Sequence, residues 1–339
     1  MFELLKRKRK LIIIVVAVSI PIIISLVYLL TLFSLFSKFA TYSKYASSNG
    51  YTRYYGHRPE GVDVYYSIQS NPRCTLDKVY TDLEKALEEP EKVICLDLAS
   101  ETTVVNENIF AKIATLKNLK DLRFHRFENK MMGIPFEISG LNQLEVIEFE
   151  KTNIGKFSEN SKLPKLTDLY IEFSEPLSLP EGISNIGNIK TLRLENINSF
   201  KGLESLNLLT TLQISYTLYG MKKPLFPEEV NYLTNLDNLY ISGNNLNDMP
   251  ASLVNLKKLK SLNLSYNPIK NLSPNIGQLS NLEVLMLTGN TGVTLPSEIA
   301  NLSNLKVLGL TDTELSNSER ERISKLLPKT DISFFTEFH

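Results

Sequence analysis

Apolar residues recur in one template from about residue 93 to residue 315: an apolar residue, two variable positions, a second apolar residue, one variable position and a third apolar residue. The last four copies start 23 residues apart. Alternation of apolar and variable residues is the periodicity of a β-strand, so each copy predicts one short strand with an apolar and a polar face. The template begins at Val93, Leu119, Leu144, Leu166, Ile189, Leu209, Leu236, Leu259, Leu282 and Leu305.

These ten copies, all in one phase, predict a solenoid. A single unit cannot bury its apolar face alone, so units of this length stack and share one continuous core. The strands then form a parallel sheet in which neighbours lie about 4.8 Å apart. Between strands, an apolar residue followed by proline leads the chain back, as at Ile134-Pro135, Leu179-Pro180, Phe226-Pro227, Met249-Pro250 and Leu295-Pro296.

The best copies, LDNLYISGNNL (236–246) and LKSLNLSYNPI (259–269), resemble the leucine-rich-repeat family in its IP or LP form. The resemblance implies an α/β solenoid over residues 93–315, shaped as a horseshoe with a concave parallel sheet. It also implies that Asn244, Asn267 and Asn290 form a structural ladder by bonding the backbone of neighbouring coils. Earlier copies carry Thr152, Ser174 and Ile197 at that place, and we expect those coils to be less regular.

Both ends of such a solenoid need caps. Residues 73–92 predict an N-terminal capping helix, because Thr81 or Asp82 is a suitable start and Pro90 follows its end. Residues 316–339 predict a C-terminal cap that begins with an amphipathic helix. Cys74 and Cys95 are the only cysteines. Outside the cytosol a disulfide between them would tie the first cap to the first strand, and two unpaired thiols are the alternative.

A run of 26 residues without a charge, 11–36, precedes the repeats. As a helix it would be roughly 39 Å long, enough to cross a hydrocarbon core of about 30 Å, so we predict one transmembrane helix that acts as a signal anchor. The basic tail 1–10 places the N-terminus in the cytosol and the repeats outside, in the periplasm or at the cell surface. A cleaved signal peptide is the alternative. The tyrosine-rich segment 37–72 is either a stalk or a small cap.

Charge and composition exclude several functions. The formal net charge is zero, and five basic residues lie in the N-terminal tail. The remainder is mildly acidic, so no nucleic-acid partner is expected. His57, His125 and His339 show no metal-ligand spacing, and the sequence has no phosphate-binding loop or nucleophile elbow. We predict no enzyme, no cofactor and no metal site, with His125 as an ordinary surface histidine.

Equivalent strand positions lie side by side when parallel strands are in phase. The predicted polar face carries an acidic ridge in its early-to-middle coils and aromatic residues in its middle-to-late coils. Exposed aromatic residues are favoured binding anchors. We therefore predict that a partner contacts Glu150, Asp168, Tyr170, Glu172, Phe173, Arg193, Glu195, Gln213, Tyr216, Tyr240 and Tyr266. In the alternative, Asp97, Arg123 and Glu148 alternate in sign as a structural charge ladder, and tyrosine is present as a good strand former.

These observations predict a non-catalytic recognition or adhesion module, with a protein ligand favoured over a polysaccharide. Two other functions stay open. The first alternative is a structural scaffold of an envelope complex. The second, which requires an inverted topology, is a cytosolic leucine-rich-repeat signalling adaptor.

Overall fold

The computed structural model describes residues 79–100, 108–127, 132–215 and 226–334. The predicted membrane segment 11–36, the segment 37–72, Cys74 and Tyr216 lie outside the described residues. In the part of the chain that is described, no helix combines the length and the apolar character needed to cross a membrane.

A twelve-stranded parallel sheet organises the repeats. Ten of its strands occupy the ten predicted copies, and β1 and β14 add one strand at each end, so the predicted solenoid with one parallel sheet is confirmed. In spatial order the strands are β1 (Val79–Tyr80), β2 (Cys95–Ala99), β3 (Asp121–His125), β5 (Val146–Glu150), β7 (Asp168–Ser178), β8 (Thr191–Ser199), β9 (Thr211–Ser215), β10 (Asn238–Ser242), β11 (Ser261–Asn263), β12 (Val284–Met286), β13 (Val307–Gly309) and β14 (Asp331–Ser333). A separate parallel pair joins β4 (Met132–Ile134) to β6 (Ile154–Phe157).

Helical segments return the chain between strands. Three are α-helices: α1 (Leu83–Glu88), α2 (Ile109–Ile113) and α3 (Asn317–Leu326). The side chain of Asp82 caps α1 by accepting the backbone N–H of Glu84 at 2.9 Å. The proline-led halves of the repeats form short 3-10 helices at Phe136–Gly140, Ile183–Asn185, Glu228–Tyr232, Ala251–Asn255 and Ser297–Asn301, and Leu203–Ser205 and Pro274–Gln278 serve the coils without that dipeptide.

The core runs the length of the stack and contains the apolar residues of the template. Leu122, Leu192 and Leu285, one from each third of the sheet, are fully buried. Phe124 and Phe149 stack with their ring centroids 5.4 Å apart. Phe173 is also fully buried in this core, so its prediction as a partner contact is wrong. Because β7 continues to Ser178, side chains keep alternating and Phe173 points to the same side as Ile171.

The asparagine ladder closes the turns that follow the late strands. Nδ2 of Asn267 donates to the carbonyls of Ile241 at 2.8 Å and Leu264 at 2.9 Å. Its Oδ1 accepts the backbone N–H groups of Asn244 at 2.9 Å and Leu246 at 3.1 Å. Asn290 Nδ2 donates in the same way to Leu264 and Leu287. These bonds satisfy backbone groups that are buried between coils.

Earlier coils replace the ladder asparagine in two ways. The Thr152 hydroxyl donates to the carbonyl of Phe124 and accepts the N–H of Phe127, so a shorter side chain still bonds the neighbouring coil. Around Ser174 and Ile197 the strands lengthen instead, and the register between β7 and β8 shifts after Glu172. The irregular coils are thus those of β7 and β8, which carry Ser174 and Ile197 at the place of the ladder asparagine.

A second row of asparagines, missed in the sequence, lies just before the template starts. Each donates Nδ2 to a backbone carbonyl of the preceding coil: Asn118 to Glu91 at 2.8 Å, Asn235 to Asn207 at 2.8 Å, Asn281 to Lys257 at 2.7 Å and Asn304 to Ser280 at 2.8 Å. The recurrence of asparagine immediately before the first apolar residue is the sequence signal that identifies this row.

Candidate partner-binding surface

The strand face consists of the side chains that point away from the core on β2, β3, β5 and β7–β13. The register arranges them in three rows that cross the strands. The middle row runs Asp97, Arg123, Glu148, Tyr170, Arg193, Gln213, Tyr240, Asn263, Met286 and Gly309, which is the order expected from the sequence. The first and last rows hold the residues two positions before and after these.

Charged side chains on β2–β8 bond each other across and along the strands. The guanidinium of Arg123 donates to both carboxylate oxygens of Asp121 at 2.9 Å, and its Nε lies 3.8 Å from Glu148. Asp121 is 1% exposed, so this pair is held in a largely water-free environment. Burial would lower the pKa of Arg123, but Asp121 and Glu148 outweigh it and raise that pKa. Arg123 therefore stays protonated and joins acidic side chains of two strands, β3 and β5.

His125, the last residue of β3, lies between two carboxylates. Its Nε2 is 2.8 Å from Asp97 on β2, and its Nδ1 is 3.0 Å from Glu150 on β5. Burial alone would lower the pKa of His125, but the hydrogen bonds to Asp97 and Glu150 raise it to about 10. The prediction of an ordinary surface histidine is wrong, because the parallel register brings two acids of other strands against both ring nitrogens.

Three glutamates follow His125 in the last row. Glu150, Glu172 and Glu195 stand on the adjacent strands β5, β7 and β8. Arg193 Nε donates to Glu195 at 2.9 Å, and Glu195 is 2% exposed. Burial, with added repulsion from Glu195 and Glu150, raises the pKa of Glu172 to about 7, against smaller opposing effects of Lys151 and Arg193. The acidic ridge thus contains one carboxyl group that titrates near neutral pH.

Two other predicted contacts on this part are less accessible than expected. Tyr170 lies in the middle row, in register with Glu148 on β5 and Arg193 on β8, and is only 8% exposed. Asp168, in the first row, is half-buried and accepts a hydrogen bond from the Thr167 hydroxyl. Tyr170 is therefore a packing residue of the strand face rather than a protruding anchor.

The strand face changes character at β9. From β9 to β13 no residue of the three rows is charged; hydroxyl and amide side chains predominate, with Tyr240 and Met286 in the middle row. Gln213 Nε2 donates to the Ser215 hydroxyl at 3.3 Å. Burial raises the pKa of Tyr240, and a hydrogen bond with Ser261 opposes the rise. Tyr266 lies beyond the rows, in the turn after β11, and is 55% exposed.

Other chemistry on the described residues is limited. In the described ranges, no group of three histidine, cysteine, aspartate or glutamate side chains is arranged to hold a metal ion. Cys95, at the start of β2, is 2% exposed and disulfide-bonded. The other cysteine of the chain, Cys74, lies outside the described residues, so their pairing stays a prediction.

No protein-family model matches the chain. It is 29% identical over 151 residues to disease resistance protein RPS4B of Arabidopsis thaliana, and 35% identical over 118 residues to receptor like protein 21 of the same plant. These matches cover 44% and 33% of this chain but only 12% of either relative, so the functions of the whole relatives do not carry over. A solved structure of an LRR protein from Leptospira interrogans is 23% identical, with 76% of this chain and 100% of that chain covered and a TM-score of 0.33.

Proposed function

We propose that this leucine-rich-repeat protein is a non-catalytic recognition or adhesion module that binds a protein partner on its strand face. The observation that carries the proposal is the division of that face. On β2, β3, β5, β7 and β8 most charged side chains pair with one another, whereas β9–β13 present an uncharged surface of hydroxyls and amides around Tyr240 and Met286. Depletion of charge together with aromatic residues and methionine is characteristic of the central part of protein interfaces.

The coils themselves are proposed to be of the 23-residue IP or LP form. The register supports this assignment, since it pairs Asn238 with Ser261, Ser261 with Val284 and Val284 with Val307, each 23 residues further along the chain. Regular coils of one length keep the three rows aligned and therefore keep the uncharged surface continuous over β10–β13.

The proposed location is outside a membrane, with residues 11–36 as the anchor and residues 1–10 in the cytosol. The uncharged run at 11–36 supports the anchor. The disulfide bond of Cys95 supports the location, because disulfides persist in oxidising compartments and are rare in the cytosol. Protease added to intact cells should cleave the repeats. Repeats that stay protected until the cells are opened would support the inverted topology of a cytosolic adaptor.

The binding face is tested in two steps. Photoreactive amino acids at Gln213, Tyr240 or Met286 should cross-link the full chain to one partner on the cell. The purified partner should then bind the double variant Tyr240→Ala, Met286→Ala at least about tenfold more weakly, a loss of roughly 1.4 kcal/mol or more. Tyr232→Ala is the matched control, because Tyr232 is 70% exposed and lies in a 3-10 helix away from the strand face. Equal affinity of the double variant and the wild type would refute the assignment.

A further inference from the structure

Tyr266 occupies a position that the fold reserves for left-handed backbone. Its φ is 55°, and the equivalent residues of the two adjoining coils are glycines, Gly243 with φ 70° and Gly289 with φ 73°. Glycine adopts this region at no steric cost, whereas a bulky L-residue there is strained. Elsewhere in the stack the same place holds non-glycine residues with positive φ, at Arg126, Lys151, Asn196 and Asp312, so left-handed backbone belongs to the repeat and is not special to Tyr266.

The half-exposed ring of Tyr266 lies against the backbone of Gly289. A Cβ atom at Gly289 would lie 2.6 Å from Cδ1 of Tyr266, so only glycine allows the ring to lie over this backbone. Beside the ring is an open depression of about 300 Å³, lined by Tyr266, Asn267, Pro268, Lys270, Gly289 and Thr291. Its size is that of one or two amino-acid side chains rather than of a large ligand.

The lining of this depression is apolar on one side and cationic on the other. The rings of Tyr266 and Pro268 provide the apolar part. Nζ of Lys270 donates to the carbonyl of Thr291 at 2.6 Å, and an ammonium has two further donors. None of the described residues that line the depression is a carboxylate. Asp312, which together with burial raises the pKa of Tyr266, is not part of the lining.

We propose that the depression beside Tyr266 holds an acidic side chain of the protein partner, with its methylene stem on the Tyr266 and Pro268 rings and its carboxylate on Lys270. This inference rests on the proposed function, since it names the chemistry of one contact of that partner. Tyrosine is a frequent interface anchor, and a carboxylate bonded to an ammonium forms a charge-assisted hydrogen bond.

The probe for this contact is a capped glutamate, N-acetyl-glutamate amide, added to the full chain in detergent with labelled tyrosine and glycine. The resonances of Tyr266 and Gly289 should shift in a saturable way with the glutamate probe. N-acetyl-glutamine amide, which has the same shape without the charge, should bind at least about tenfold more weakly. Equal responses to both probes, no saturable response, or a saturable response to maltotriose instead would overturn the proposal.

Variants separate binding from packing. Tyr266→Asn should abolish the response at Gly289 while raising the unfolding temperature by about 2–4 °C, because asparagine tolerates left-handed backbone. Lys270→Met should abolish the response at Gly289 without raising the unfolding temperature. The matched control is Lys257→Met, because Lys257 is an exposed lysine outside the depression. Unchanged glutamate binding in Tyr266→Asn would overturn the proposal. Since the probe needs no partner, these outcomes are independent of the Tyr240 and Met286 experiment.

Discussion

Oδ1 of Asn267 accepts the backbone N–H of Asn244 at 2.9 Å, so a side chain of one coil holds the turn of the coil before it. With its Nδ2 group bonded to the carbonyls of Ile241 and Leu264, this one residue satisfies buried groups in two coils. The stack is thus held by side chain to backbone bonds between coils as well as by the sheet and the leucine core.

Asn267→Ala should therefore destabilise the repeats strongly. Asn267 is 1% exposed, and its removal leaves buried N–H and carbonyl groups without partners, each at a cost of about 1–3 kcal/mol. We expect a loss of about 3 kcal/mol or more in the free energy of unfolding, measured by denaturant titration. Asn271→Ala, at an exposed asparagine with one hydrogen bond to Thr294, should cost less than about 1 kcal/mol. Equal losses would contradict the structural role of the ladder.

Glu172→Gln should stabilise the protein at neutral and alkaline pH. The folded-state pKa of Glu172 is raised to about 7, so the wild type loses stability as pH rises from about 4.5 to 7. Gln resembles the protonated acid and avoids this loss, which is on the order of 3 kcal/mol. The gain in unfolding free energy should be full above pH 7 and should vanish near pH 4.5. A gain that does not depend on pH would exclude titration of Glu172 as its cause.

His125→Gln should show a different pH dependence. The folded-state pKa of His125 is raised to about 10 by Asp97 and Glu150, so its contribution to stability is fully present below about pH 6.5. That contribution is lost as pH rises through 10. The difference in unfolding free energy between wild type and variant should therefore be largest at pH 6 and small at pH 10.5. Measurement of both proteins at each pH cancels the titration of their shared lysines and tyrosines.

Reduction of the Cys95 disulfide should destabilise the N-terminal end of the stack. If the partner is Cys74, the loop has about 20 residues, for which a disulfide contributes roughly 3 kcal/mol. Unfolding of the full chain should begin at lower temperature in dithiothreitol, and Cys95→Ala should remove this sensitivity. Peptide mapping without reduction should recover residues 74 and 95 in one linked fragment. Identical melting with and without reductant would show that the bond carries no stability.

The sequence by itself determined the solenoid and the positions of its strands. Ten copies of one apolar template, from Val93 to Leu305, can bury their leucines only by stacking in phase. The sequence therefore also predicts which residues of neighbouring strands lie side by side on the strand face. The asparagines at 244, 267 and 290 were identifiable because they recur at the same place in successive copies.

Only the tertiary structure decided what the individual side chains on that face do. Phe173 points inward because β7 extends beyond the template, and Tyr170 is buried although it lies in the middle row of the strand face. The pairing of His125 with Asp97 and Glu150, and the raised pKa of Glu172, arise between residues 22 to 28 positions apart. These effects depend on the distances between side chains of neighbouring coils and on how deeply each side chain is buried, and both are set by the packing of the coils. The repeat, in contrast, is a local pattern that can be read from the sequence alone.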